Sequence, residues 1–146
     1  MKKTLFSVAL LAAATQALAF NEKQAVALTQ KFLSTVACAY DESTFPVVKL
    51  DDDSYLVGWT GQLRCPGGNG TTVSYLTAVA PGYVGEDTYV VDYHESAAPD
   101  VGSLHTLDKL SFQNGVLLVN GRVIRNKESK VTLKFLRDRG EWKKIK

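Results

Sequence analysis

The chain is short of the residues on which common enzyme chemistries depend. It has two cysteines and two histidines among 146 residues. It contains no H-E-x-x-H pair for a zinc protease and no G-x-S-x-G turn for a serine hydrolase. The glycine-rich stretch Gly67-Gly68-Asn69-Gly70-Thr71-Thr72 lacks the G-K-[ST] ending of a phosphate loop and precedes a strand, so it reads as a hairpin turn. Asp51-Asp52-Asp53 lacks the spacing, central glycine and closing glutamate of a calcium loop and reads as an acidic turn. The interleaved arginine and aromatic pattern of nucleic-acid modules is missing. After residue 19 no apolar run approaches the roughly 20 residues of a membrane span. These absences predict no catalytic set, no metal, no cofactor, no nucleic-acid partner and no span.

What is present begins with an export signal. Lys2 and Lys3 form a positive start, residues 5–14 an apolar run, and Ala17-Leu18-Ala19 the small-x-small pattern of a cleavage site. The expected organisation is a signal peptide over 1–19, bacterial in its compactness, and a single disulfide-containing α+β domain over 20–146. That predicts a periplasmic or secreted protein. In such a compartment Cys38 and Cys65 most simply form one structural disulfide, stabilising by about 3–4 kcal/mol in the chain-entropy view. Asn69-Gly70-Thr71 fits a glycosylation sequon, of use only in a host that glycosylates.

Without Lys2 and Lys3 the chain carries 15 basic and 15 acidic residues, yet its halves differ. Residues 20–108 hold four basic and twelve acidic groups, and residues 109–146 hold eleven basic and three acidic. Such asymmetry marks an anion-binding surface unless the two halves interleave in space and cancel.

Periodicity predicts one helix followed by strands. Asn21 suits an N-cap with Gln24 completing a capping box, and Ala25, Leu28, Phe32, Val36 and Tyr40 recur at helical spacing. The helix is expected over 22–39, with Cys38 in its last turn. Beyond Pro46 the period changes to two: strands are expected over 47–50, 55–61, 71–80, 88–93, 109–112, 116–119, 122–125 and 131–136, with Trp142 on a last short one. Asn114-Gly115 and Asn120-Gly121 are both hairpin signals, too close together for both to join long strands, so one is expected to be a bulge. The predicted fold is α+β, with an N-terminal amphipathic helix packed on a bent antiparallel sheet of five to seven strands. It is cystatin-like or NTF2-like in shape only, since no motif of either family is present.

The candidate binding residues are Tyr83, Asp92, His94, Glu95, Arg122 and Arg125. Imidazole and carboxylates cluster in Asp92, His94 and Glu95, which with His105 could line an acid–base or ligand site. Tyr83, among Pro81, Gly82 and Gly85, is the aromatic best placed for exposure, whereas Trp59, Tyr75 and Trp142 suit a core. Arg122 and Arg125 belong to the basic segment. Together these features predict a small exported non-catalytic binding protein acting on another protein, as an inhibitor or immunity protein does. The alternatives are a ligand-binding or hydrolytic enzyme with a pocket between helix and sheet, and a structural subunit of an envelope assembly.

Overall fold

A computed structural model describes residues 20–63, 72–82, 88–92, 97–124 and 127–146. The expected signal segment therefore lies outside the described residues, as do Cys65 and the glycine-rich turn.

Helix α1 (Glu22–Val36) opens with the capping box expected of it. The Asn21 side chain accepts from the Gln24 N–H at 3.2 Å, and the Gln24 side chain accepts from the Asn21 N–H at 3.0 Å. Ala25, Thr29 and Leu33 make its buried stripe. The helix is shorter than predicted. Ala37 turns to extended backbone, and the next donors are captured by a strand: the Cys38 N–H bonds to the Gln62 carbonyl and the Asp41 N–H to that of Thr60, each at 2.9 Å. Cys38 is therefore past the helix rather than in its last turn, and Tyr40 belongs to a strand. Ser34, Thr35 and Val36, poor helix formers, make the early exit cheap.

Nine strands follow among the described residues, in two antiparallel sheets rather than the single sheet of five to seven that periodicity suggests. Sheet A contains β1 (Ala39–Tyr40), β2 (Val47–Lys49), β3 (Tyr55–Gln62), β4 (Val73–Pro81) and β5 (Tyr89–Asp92). Its order is β1-β3-β4-β5, and β2 shares with β1 one edge of β3. Sheet B is a meander of β6 (Thr106–Gln113), β7 (Val116–Ile124), β8 (Glu128–Asp138) and β9 (Glu141–Ile145).

Sheet A is covered on both faces. Tyr55, Val57 and Val79 pack with Ala25 of the helix, joined by Phe20, Val26 and Leu28. The alternate residues Leu56 and Ala78 join Leu107, Leu110, Leu117, Val119, Leu133 and Phe135 of sheet B in the larger core. The layers therefore run helix, sheet A, sheet B. Double cover explains why residues 54–59 are buried without interruption although a strand turns successive side chains to opposite faces.

The turns of sheet B resolve the two Asn-Gly signals. Asn114 and Gly115 take φ of 51° and 76° and form the tight β6–β7 turn, as a type I′ loop requires. Asn120-Gly121 makes no turn. It lies inside β7, which runs unbroken where two short strands were predicted, and it faces the register shift that leaves Asp108 of β6 as the extra residue. Gly121 is needed there for a different reason: a Cβ would stand 2.3 Å from the Thr106 carbonyl oxygen.

One end of the sandwich is tied by polar contacts between distant parts of the chain. Arg137 Nη2 of β8 meets Asp52 Oδ2 at 2.8 Å, its guanidinium lies 5.4 Å from the centre of the Trp142 ring, and the Trp142 indole donates to the Ala97 carbonyl at 3.2 Å. Partial burial pushes the Asp52 carboxyl up, but hydrogen bonds from Arg137 and Ser54 outweigh that and hold it at about 2.

Candidate functional site

Sheet B has one face in the core and one toward solvent, and the alternation of β8 makes the division plain. Val131, Leu133, Phe135 and Arg137 turn inward, whereas Lys130, Thr132, Lys134 and Leu136 turn outward and are exposed. Pairing extends these positions across the sheet. Ser111, Leu118, Lys134 and Ile145 form one outward row, and Gln113, Val116, Leu136 and Lys143 the next. Lys109, Asn120 and Thr132 form a third, and Arg122 lies opposite Lys130. The result is a small apolar centre of Val116, Leu118, Leu136 and Ile145 with lysines around it.

The cations of this face fall into two groups. Lys143 pairs with Asp138 at 3.0 Å, and Arg122 with both Glu128 at 2.9 Å and Asp108 at 3.3 Å. Hydrogen bonds to those carboxylates raise the pKa of both cations. Lys109, Lys130 and Lys134 form no ion pair among the described residues. The charged halves of the sequence do not interleave, since residues 20–92 build the helix and sheet A, and residues 106–146 build sheet B. The helix and sheet A carry only Lys23, Lys31 and Lys49 among their described residues, so the asymmetry of the sequence becomes an asymmetry of faces.

A second feature is a cleft of about 360 Å³ at the C-terminal end of the helix. Phe32 and Val36 of α1, Leu63 after β3, Tyr75 and Thr77 of β4, the end of β5 and residues 98–101 enclose it. Trp59 stacks on Tyr75 with ring centres 4.4 Å apart, and its indole donates to the Thr77 hydroxyl at 2.8 Å, which fixes that wall. A third, polar hollow lies where the sheets meet, lined by Asp41, Thr44, Thr60, Thr106, Asp108 and Arg122. Within it the buried Thr106 hydroxyl has no hydrogen-bond partner.

The residues singled out from sequence are scattered over these features. Asp92 lines the cleft and Arg122 the polar hollow, each in a different place. Tyr83, His94, Glu95 and Arg125 lie outside the described residues. The His105 ring accepts the Ile124 backbone N–H through Nδ1 at 3.2 Å, which ties β7 to the segment before β6. Trp59 is core, at 2 % exposure, whereas Tyr75 and Trp142 are only partly buried. Among the described residues no three His, Cys, Asp or Glu side chains are grouped to hold a metal ion, and no helix is long and apolar enough to cross a membrane.

Lys109, Lys130 and Lys134 were missed as individuals, although the outward period of two in residues 130–136 was there to be read. The cleft had no local signal, because its walls come from five separate stretches of chain. Comparison with known proteins adds no assignment to this geometry: no protein-family model, no curated protein and no solved structure matches the chain.

Proposed function

We propose that this is a small exported binding protein, without catalysis of its own, that holds an acidic partner protein on the outer face of sheet B. The observation that carries the reading is the trio Lys109, Lys130 and Lys134, without ion pairs among the described residues, on the same face as a partly exposed apolar centre. A binding face of this kind uses its apolar centre for contact area and its charged rim for orientation and rate of encounter. Export and a Cys38–Cys65 bridge belong to the same proposal. Two observations support the bridge: Cys38 is no free thiol, and its backbone is bonded to Gln62, three residues before Cys65. The helix-on-sheet unit acts as the scaffold behind the face, on the far side of sheet A.

The test is capture from envelope and culture-supernatant extracts with the oxidised protein as bait, at low and high salt. A variant with Lys109, Lys130 and Lys134 all replaced by Glu serves as the control. The expected result is an acidic protein retained by the parent at low salt, released by high salt and not retained by the variant. Identical retention by both proteins, or no acidic partner in either extract, would overturn the proposal.

A further inference from the structure

We propose that the cleft beside the helix C-terminus binds a small amphiphilic cation, an aryl- or alkylammonium with an apolar body. This site is separate from the sheet B face and does not depend on it. Its volume of about 360 Å³ falls at the small end of ligand pockets, which run roughly 300–1,000 Å³.

Two properties define the ligand. The lining is largely apolar, and its mouth keeps Val36 and Leu63 at 38 % and 41 % exposure, among the more exposed large apolar side chains of the molecule. Covering them with an apolar body removes that surface from water. The charged groups of the described lining are Asp92 and Asp100, with no lysine or arginine among them. An anion would meet like charge there, whereas an ammonium finds the Asp100 carboxylate.

The aromatic wall favours the same sign of charge. Tyr75 is held by its stack on the buried Trp59, and an aromatic face attracts a cation through its quadrupole. Asp100 is also preset: its Oδ1 accepts the Gly102 N–H at 2.8 Å, which orients the carboxylate before any ligand arrives. An organic cation therefore has both a counter-charge and a π-face within one apolar hollow.

The experiment titrates the full protein with phenethylammonium, phenethyl alcohol and phenylacetate at neutral pH and low salt, following the indole N–H resonances of Trp59 and Trp142. The expected result is movement of Trp59 rather than Trp142. Phenethylammonium should bind at least tenfold more tightly than phenylacetate and about threefold more tightly than the alcohol. Val36→Lys places a positive charge at the mouth, at an exposed position where the last helical turn has no basic residue, so it should also suit the helix dipole. It should keep the parental melting temperature and weaken phenethylammonium at least tenfold. Asp100→Asn, which retains the acceptor oxygen for Gly102, should weaken it about threefold. Equal binding of the three probes, binding of none, movement centred on Trp142, or an unaffected Val36→Lys variant would each overturn the proposal.

Discussion

Sheet A and sheet B are built from the same kind of strand but live in different surroundings. Sheet A lies between the helix and sheet B, so the side chains of its central strand β3 leave water on both faces. Sheet B is a meander with one face in the core and the other in solvent. Every second residue of sheet B is therefore released from packing, and that release is what permits lysines to gather there. The difference separates stability from recognition within one domain.

The sharpest way to break this comparison is to delete equivalent side chains from the two environments. Leu56, fully buried on β3, should cost about 2–5 kcal/mol on replacement by Ala, and Leu118, on the outward row of β7, under about 1 kcal/mol. Urea denaturation measures both. Similar losses would mean that the outer face of sheet B is doing structural work after all.

Gly121→Ala tests the bulge where β7 crowds the start of β6. The new methyl would press on the Thr106 carbonyl, and the expected loss is about 2–3 kcal/mol in the same assay. Comparison with Gly140→Ala separates crowding from conformation. Gly140 has open space around its Cβ position but φ of +85°, so its loss, about 1 kcal/mol, comes from the backbone alone.

The tie between the sheets should show itself in acid. In the folded protein the Asp52 carboxyl sits at about 2 instead of its ordinary 3.8, so its ion pair stabilises above about pH 4 and fails as pH falls toward 2. Half the side chain is in solvent, so the contribution is screened to about 1 kcal/mol. Urea midpoints at pH 6 and pH 2.5 should therefore converge in Asp52→Asn relative to the parent. An unchanged pH slope in that variant would show that Asp52–Arg137 does not couple the sheets.

The smallest stability effect belongs to the binding face. Replacing Lys109, Lys130 and Lys134 together by Gln should alter unfolding free energy by less than about 0.5 kcal/mol while reducing retention on an anionic column at low salt. A large loss of stability would place these lysines in the fold rather than on a surface for a partner.

Legibility followed the same division. The helix start, the β2–β3 hairpin and the Asn114-Gly115 turn are local signals, a cap, a period and a dipeptide with the needed backbone, and each was readable in advance. The helix end was not, because the carbonyls of Thr60 and Gln62 outcompete further helical bonds at Cys38 and Asp41. The second sheet was hidden for a related reason. Unbroken burial over residues 54–59 identifies a strand with two covered faces only once the covering layers are known, and the sequence lacks any local mark for them. The same holds for the cleft, whereas the lysine face obeyed a simple alternation.

The double cover of β3 also dictates the order in which the chain can become a protein. Seven of the eleven buried residues in the core that Leu50, Leu56 and Ala78 join lie between Leu104 and Phe135, so most of their cover arrives with that part of the chain. A chain halted at residue 105 would carry a sheet with one wet hydrophobic side and unpaired strand edges, a species prone to aggregate. Sheet B, whose partners are successive neighbours along the chain, can close its hairpins quickly from local contacts. Sheet B, which follows sheet A along the chain, thus seals what was made before it.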